Sequence, residues 1–258
     1  MMEDQPIQAS GSDIKKQRPR MEKYFSGAIK MGASDLHIKA DCVPRMRAEG
    51  HLRKITGEAI SSDQLEEMVQ EILSKEQKAF FSEHGAIDFA YTMNDIDRFR
   101  VNIFRQRGKI SIAARRVTSD IPPFESLFLP PVVEDIAQLH EGLVLVTGVT
   151  GSGKSTTIAS MLNWINHNRT CHIITVEDPI EYTYFDVKAL INQREVGIDV
   201  PSFEEALRGM MREDPDIILV GEIRDFATLS AGLQAAETGH LVFATLHATD
   251  TYLTIQRI

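Results

Sequence analysis

Hydrophobic residues in the second half of the chain are grouped in four short runs, at residues 143–147, 172–176, 217–220 and 241–246. Stretches with helical periodicity separate these runs. Nearly continuous apolar runs of this length are typical of strands buried on both faces, and the intervening helices are typical of crossovers between parallel strands. The pattern predicts an α/β domain with a mostly parallel sheet over residues 132–258. Because the chain stops inside a helix-like stretch, we expect the C-terminal part of this domain to be missing.

Residues 21–118 combine two periodicities and predict one small α+β domain. Apolar side chains recur at helical spacing from Leu65 to Leu73, behind residues 61–63 (Ser-Ser-Asp) as a plausible cap region. Alternating apolar residues predict a strand through residues 98–103 and a second strand at 109–117, with a turn between them.

Two arginines fall on the same side of this predicted strand pair. Phe99 and Val101 define the apolar face of the first strand, so Arg100 points the other way. Ile112 and its apolar neighbours do the same in the second strand, which leaves Arg115 on the side of Arg100. The pattern alone is equally compatible with a solvated strand face and with a functional surface.

Two further segments lack the patterns of a folded core. Residues 1–20 are polar and carry hardly any large apolar side chain, which predicts a disordered tail. Residues 119–131 contain two Pro-Pro pairs, which remove backbone donors and restrain the preceding residues, and they predict a linker between the domains.

Composition bears on three properties of the protein, namely nucleic-acid binding, membrane insertion and the chemistry of its cysteines. The formal net charge of -9 gives no support to general nucleic-acid binding, which depends on phosphate neutralisation. No apolar run approaches the roughly 20 residues that a membrane-spanning helix needs, and no secretory signal is visible, so we expect a cytoplasmic protein without direct membrane insertion. Cys42 and Cys171 have no metal-ligand spacing and are expected to be buried thiols.

A phosphate-binding loop pattern, G-x-x-x-x-G-K-[ST], follows the first apolar run and precedes a helical pattern that includes Ile158 and Met161. Glycines in such a loop turn backbone N–H groups toward phosphate oxygens, and the helix N-terminus adds partial positive charge. The pattern predicts that Lys154 reaches the β- and γ-phosphates of a nucleotide and that Ser155 binds Mg²⁺. By itself it does not distinguish a kinase, a GTPase, a motor ATPase or a nucleotide-gated switch. The residues predicted to bind nucleotide are Gly148, Val149, Thr150, Gly151, Ser152, Gly153, Lys154, Ser155 and Thr156.

Two other apolar runs end in carboxylates. Glu177 follows the second run, where Pro179 stops the strand, and Glu222 follows the third run. Hydrolysis of a phosphoanhydride needs a residue that orients the attacking water and a carboxylate that holds the metal, and both are usually found at strand ends beside the loop. Each carboxylate alone is also compatible with a surface turn, but the occurrence of both behind a phosphate-binding loop favours a hydrolytic site.

Four ordered segments together resemble the motifs of one family. Besides the phosphate-binding loop, residues 174–181 resemble the aspartate box of secretion ATPases and residues 207–225 resemble their Walker B signature. Residues 238–240 and 245–247 look like their histidine box. The likeness extends from Met21 to Ile258. The chain thus resembles the type II/IV secretion system ATPase superfamily, and within it the PilT-like retraction ATPases of type IV pili.

The resemblance implies a PAS-like domain at residues 21–118 and a RecA-like P-loop ATPase core at residues 132–258. It implies that Glu177 polarises the attacking water, and that Glu222 serves both the metal and the water. It also implies that the PAS-like domain closes over the nucleotide and sends Arg100 and Arg115 to the phosphates.

Four more residues take roles by the same resemblance. Arg208 and Arg212 are four apart and are predicted to share one face of a helix that Ser202 caps, from which they would contact phosphate. The alternative is a pair of surface ions beside neighbouring glutamates. His240 and His247 bracket the fourth apolar run and would report loss of the γ-phosphate, although a histidine there is more often a structural hydrogen-bonding group.

The implied protein is a motor subunit that works as a hexameric ring, with an inner-membrane pilus or secretion platform protein as its partner. It would be peripheral to the inner membrane through that partner. The short region before the PAS-like domain favours a retraction ATPase over a type II secretion or pilus-assembly ATPase. A nucleotide-binding regulatory module without turnover is an alternative from another class, whereas a small-molecule kinase would need an acceptor pocket and lid that the sequence does not indicate.

Overall fold

The computed structural model of the chain describes residues 18–94, 97–248 and 251–257. The chain divides into two compact units, Met1–Arg116 and Val117–Ile258. Nearly all of the predicted disordered tail lies outside the described residues. Its last residue, Arg20, is held by hydrogen bonds from the backbone N–H and Nε to the Glu71 carboxylate, at 2.7 Å each.

The first unit is a sheet covered on one face by helices. The elements are α1 (Glu22–Lys30), β1 (Asp35–Lys39), β2 (Arg45–Ala48), β3 (His51–Lys54), α2 (Ser62–Ile72), α3 (Lys75–His84), β4 (Ala86–Met93), β5 (Asp97–Gln106) and β6 (Lys109–Val117). The strand order of the sheet is β3-β2-β1-β6-β5-β4, and β1 pairs antiparallel with both β2 and β6.

The core of this unit follows from the predicted periodicities. Phe25 of α1 stacks on Phe99 of β5 with ring centroids 4.5 Å apart, and both side chains are fully buried. Ser61 caps α2 through a capping box with Gln64, which confirms the predicted cap region at residues 61–63. The two predicted strands are β5 and β6, which are neighbours in the sheet.

The prediction that two arginines emerge on the open face of this sheet is confirmed. Arg100 and Arg115 are exposed, whereas Phe99 and Val101 on either side of Arg100, and Ala114 before Arg115, are buried. Arg115 Nε donates a 2.9 Å hydrogen bond to Asp35 Oδ1 on the neighbouring strand. The guanidinium of Arg115 is therefore fixed by a partner within its own unit.

The second unit is a five-stranded parallel sheet in the order β7-β11-β10-β8-β9. Four strands match the predicted apolar runs to within one residue at either end. The elements are α4 (Phe124–Leu127), α5 (Val132–Ala137), β7 (Gly142–Thr147), α6 (Lys154–Asn168), β8 (His172–Glu177), β9 (Leu190–Glu195), α7 (Phe203–Met210), β10 (Ile217–Val220), α8 (Phe226–Glu237), β11 (Leu241–Leu246) and α9 (Thr251–Arg257).

Helices cover both faces of this sheet, which is why its strands are apolar throughout. Ile174 and Ile218 belong to a core cluster with residues of α7 and α8. Their neighbours Ile173 and Ile217 belong to a second cluster with residues of α6. Parallel strands buried on both faces read as continuous rather than alternating runs.

Three expectations differ from the structure. The expectation of buried thiols is wrong, because Cys42 is exposed just after β1 and Cys171 is only partly buried. The predicted linker at residues 119–131 contains a short helix, α4, because its two proline pairs lie outside residues 124–127. The prediction that Arg208 and Arg212 share one helix face is wrong, since α7 ends at Met210. The N–H of Arg212 donates to the carbonyl of Gly209 in a turn, and Asp214 takes a positive φ of 55° before Pro215, so the helix cannot continue.

None of the helices in the described ranges combines the length and the apolarity that crossing a membrane requires.

Candidate functional site

A cavity of about 380 Å³ opens at the edge of the parallel sheet where its strands end. The loop after β7, the residues after β8 and β10, and the end of β11 all line it. This is the usual place for a ligand in an open α/β sheet, outside the carboxyl ends of the strands. The ionisable and hydroxyl side chains that the cavity brings together include Lys154, Ser155, Glu177, Asp178, Glu222 and His247.

The glycine-rich loop has the geometry of an anion site. Gly151 and Gly153 have φ values of 79° and 94°, a left-handed conformation that side chains with a Cβ adopt with difficulty. Gly153 is also the N-cap of the 15-residue helix α6, so the free N–H groups of its first turn face the cavity. Lys154 Nζ donates to the carbonyl oxygens of Gly148 and Val149, at 2.9 and 3.1 Å. The ammonium is therefore held over the loop.

Glu177 is the buried acid of the cavity, with only 9% of its surface exposed. Its Oε1 accepts hydrogen bonds from the hydroxyl of Thr175 at 2.7 Å and from Nε2 of Gln193 at 3.2 Å. Burial raises the pKa of Glu177 to about 7, although these two donors and the backbone N–H of Glu181 oppose that rise. A carboxylate with a pKa near neutrality is suited to accept a proton.

Gly221 lets the strand end that carries Glu222 approach the one that carries Glu177. The N–H of Gly221 donates to the carbonyl of Val176 at 2.8 Å. A Cβ at residue 221 would lie 3.1 Å from the Cα of Glu177 and 3.2 Å from the carbonyl oxygen of Val176, both of them backbone atoms. A larger residue would therefore push the two strand ends apart.

Glu222 takes part in a network of charged side chains. Its Oε2 accepts a 2.8 Å hydrogen bond from Nε of Arg224, and its Oε1 lies 3.1 Å from Nε2 of His247. Arg224 Nη1 also donates to Oδ2 of Asp178 at 2.7 Å. Arg224 thus bridges the carboxylates that follow β10 and β8, and it keeps Glu222 next to a positive charge.

The donor atoms of the cavity fit Mg²⁺. Magnesium prefers hard oxygen ligands and usually takes only one or two from the protein, with the rest from phosphates and water. Ser155 offers a hydroxyl and Glu222 offers a carboxylate on the same cavity. Within the described residues, the chain shows no cluster of three or more histidine, cysteine or acidic side chains that would hold a metal by itself.

Three of the predicted site residues of this unit lie away from the cavity. His240 precedes the amino end of β11, one strand length or about 20 Å from His247. Its Nδ1 lies 2.9 Å from the carbonyl oxygen of Ala235. Arg208 forms an ion pair with Glu204 one helical turn earlier, at 2.6 Å, and Arg212 is exposed in the turn after α7. The structure brings Glu177, Glu222, Lys154 and His247 together, but not these three.

Sequence reasoning missed several polar residues of the site. Arg224 lies within residues 207–225, the segment that resembles a Walker B signature, two residues after Glu222. Its position beside two acids is a usable signal. Gln193 lies on β9, a strand of mainly polar residues that no apolar run indicates. Thr175 lies inside an apolar run, where a threonine is easily taken as a β-branched strand residue.

We expect Glu177→Gln to stabilise the fold at alkaline pH. The folded-state pKa of about 7 exceeds the ordinary value of 4.5, so this group stabilises the fold at low pH and loses that contribution as pH rises to about 7. Glutamine carries no charge to bury. The free energy of unfolding of the variant, relative to wild type, should therefore be about 2–3 kcal/mol larger at pH 8 than at pH 5.

Urea unfolding at the two pH values measures this difference. Glu205→Gln, at an exposed position in the first turn of α7, is the matched control and should show no such change. An equal effect of Glu177→Gln at both pH values would contradict the buried charge.

A parallel sheet whose first strand leads through a glycine-rich loop into a helix, with acidic residues at the neighbouring strand ends, defines a P-loop domain. The family model "Type II/IV secretion system protein" matches residues 124–258. The chain is 45% identical over 231 residues to the type IV pilus retraction ATPase PilT of Pseudomonas aeruginosa, covering 90% of this chain and 67% of that protein.

Two other comparisons agree. The twitching motility protein of Neisseria gonorrhoeae is 43% identical, covering 85% of this chain and 59% of its own length. A crystal structure of the pilus retraction motor PilT with bound ADP has a TM-score of 0.85 and 44% identity, covering 94% of this chain and 71% of that one. The chain belongs to the type II/IV secretion system protein family. It spans roughly two thirds of the length of these relatives.

Proposed function

We propose that the chain is an ATP-hydrolysing motor subunit that powers retraction of a type IV pilus. The observation that carries this proposal is a single cavity shared by the phosphate-binding loop and the buried acid Glu177. The similarity to a pilus retraction ATPase and to a twitching motility protein supports the choice of machine. The similarity to a PilT structure with bound ADP supports an adenine nucleotide as ligand.

The glycine-rich loop at residues 148–155 is the proposed binding site for the phosphates of ATP. Its backbone N–H groups and the N-terminus of α6 favour the β- and γ-phosphates. Lys154 now donates to two carbonyl oxygens of the loop, and phosphate oxygens are stronger acceptors for an ammonium group than carbonyls are. We expect Lys154 to exchange these partners for phosphate when ATP binds.

Hydrolysis uses the two glutamates in different ways. Glu177, with its raised pKa, accepts the proton of the attacking water, because a base is most effective when its pKa is near the working pH. Glu222 is paired with Arg224 and offers its carboxylate as a ligand for the metal. Two acids whose environments differ in this way divide the roles of base and charged ligand.

Ser155 and Glu222 would hold Mg²⁺ together with the phosphate oxygens. When bound, Mg²⁺ supplies positive charge that neutralises the developing charge on the transferring phosphoryl group.

Three of the remaining predicted residues have roles by resemblance. Arg100 and Arg115 would supply positive charge to phosphate, and His247 would respond to the loss of the γ-phosphate. His247 has support within the cavity, since it lies 3.1 Å from Glu222. As in the proposed class, the PAS-like and RecA-like domains would move during a cycle in a homo-oligomeric ring that engages an inner-membrane platform protein.

Turnover by the purified chain tests the proposed function. We expect steady release of phosphate from ATP with Mg²⁺, loss of that activity on addition of EDTA, and recovery when Mg²⁺ is restored in excess. Heat-treated protein at the same concentration is the control for contaminating phosphate. Tight ATP binding without any phosphate release would contradict a motor and would favour a regulatory module.

A further inference from the structure

The two side-chain hydrogen bonds to Glu177 end on the same oxygen. Thr175, two residues earlier on β8, donates its hydroxyl to Oε1 at 2.7 Å. Gln193, on the neighbouring strand β9, donates Nε2 to the same Oε1 at 3.2 Å. A carboxylate oxygen has about two lone-pair sites, so these donors occupy most of what Oε1 can accept.

Gln193 is itself held in place on both sides of its amide. Its Nε2 also donates to the carbonyl of Tyr182 at 2.8 Å, and its Oε1 accepts the N–H of Tyr184 at 3.0 Å. The hydroxyl of Tyr182 lies 3.0 Å from Oγ1 of Thr156, in the first turn of α6. The amide that contacts Glu177 is therefore anchored to the segment that contacts the phosphate-loop helix.

Thr175 is equally well fixed. Its side chain is fully buried, and its backbone is paired in register with Leu219 of β10 on one side and Gln193 of β9 on the other. A β-branched residue in a strand has few χ1 choices, so the hydroxyl has little freedom to leave Oε1. Both donors belong to the rigid sheet rather than to a loop.

We propose that Thr175 and Gln193 are positioning residues for hydrolysis, which hold Oε1 of Glu177 so that Oε2 is presented to the attacking water. This inference rests on the proposed function. In the step itself the water oxygen bonds to the γ-phosphorus and one water proton passes to Oε2. The bond from the γ-phosphorus to the bridging oxygen breaks, and ADP leaves with that oxygen.

A fixed carboxylate matters because the water has to be held in line with the bond that breaks. Effective proton transfer requires heavy atoms within about 2.6–3.2 Å of each other, and misplacement by about 1 Å can cost as much as 100-fold in rate. Removing either donor would loosen the Glu177 carboxylate. Within the described residues, the side chains of Thr175 and Gln193 form no hydrogen bond with a residue predicted to bind nucleotide.

Conservative variants separate this role from general damage to the fold. Thr175→Val keeps the shape but removes the hydroxyl, and Thr175→Ser keeps the hydroxyl. Gln193→Leu removes the amide, and Asn192→Leu is its matched control, because Asn192 is exposed on the same strand and contacts His172 instead. Each protein is assayed for kcat and KM of ATP hydrolysis and for affinity for a fluorescent ADP.

We expect Thr175→Val and Gln193→Leu each to lower kcat by about 10-fold, with KM and ADP affinity within about 2-fold of wild type. Thr175→Ser should retain most of the activity, and Asn192→Leu should resemble wild type. Adding Thr175→Val to Glu177→Gln should lower the residual rate by less than about 2-fold, because the group that Thr175 orients is already inactive.

The outcomes distinguish this inference from the proposed function. A wild-type chain without turnover, or a Glu177→Gln variant as active as wild type, would overturn both. If Glu177→Gln is inactive but Thr175→Val and Gln193→Leu keep full kcat, only the positioning role is overturned. Equal losses caused by Thr175→Val and Thr175→Ser, or an undiminished effect of Thr175→Val in the Glu177→Gln background, would also overturn it.

Discussion

Replacing Lys154 by alanine should lower ATP turnover by at least about 100-fold. Removal of one preorganised group that stabilises charge in a site that excludes water typically costs 10²–10³ in rate. Lys154 is the first residue of α6, and its ammonium lies over the loop that we expect to hold the phosphates. Its loss should weaken nucleotide binding as well, which steady-state phosphate release and binding of a fluorescent ADP measure separately.

Lys188→Ala provides the matched control, because Lys188 is an exposed lysine in the same unit and does not line the cavity. It should leave turnover and binding unchanged. If Lys154→Ala hydrolyses ATP at the wild-type rate, the loop at residues 148–155 is not the phosphate site.

Glu177→Gln should separate binding from hydrolysis. A positioned general base typically contributes 10²–10⁴-fold to rate, so we expect kcat to fall by about that factor. Glutamine has nearly the shape of the protonated acid and can still accept hydrogen bonds from Thr175 and Gln193. ATP affinity should therefore stay close to that of wild type, and single-turnover measurements should show ATP that is bound but not cleaved.

Glu205→Gln, at an exposed glutamate outside the cavity, should have wild-type kcat and serves as the control. Equal loss of kcat and of ATP affinity in Glu177→Gln would indicate a role in binding rather than in proton transfer. Unchanged kcat would remove Glu177 from the chemistry.

The same buried acid is expected to destabilise the fold above pH 7 and to accelerate hydrolysis. Functional sites often contain groups whose burial costs stability, and such groups can be replaced with a gain in stability and a loss of activity. The two effects of Glu177→Gln, one on unfolding and one on turnover, therefore have one physical origin.

The parts of the fold that depend on local sequence were predictable. Four strands of the parallel sheet are buried on both faces, so their apolar runs mark them without knowledge of their neighbours. The loop at residues 148–155 needs its glycines for reasons that lie within the loop itself. The cap at Ser61 is likewise local, because the N–H of Gln64, three residues later, donates to the Ser61 hydroxyl.

The features that sequence reasoning missed depend on pairing or on chain reversal. β9 contains Asn192, Gln193 and Arg194, and it is a strand because β8 provides a parallel partner. The contact between Gln193 and Glu177 exists only through that pairing. Arg212 was placed on a helix by its spacing from Arg208, but the turn that leads into β10 ends the helix first.

Of the predicted site residues, the structure brings one pair together on the cavity and separates another pair. Glu177 and Glu222 were predicted from the rule that parallel strands end at one edge, and the structure places both on one cavity. His240 and His247 bracket one strand, and the two ends of a strand lie on opposite edges of a sheet. Only His247 reaches the cavity.

A crystal structure of the chain with a non-hydrolysable ATP analogue and Mg²⁺ tests the central claim most directly. The account predicts the triphosphate on the backbone amides of residues 148–155, with the Glu177 carboxylate one water molecule away from the γ-phosphorus and Glu222 beside the metal. A triphosphate bound elsewhere, or a γ-phosphate more than about 10 Å from both glutamates, would contradict it, because proton transfer requires direct contact or a single bridging water.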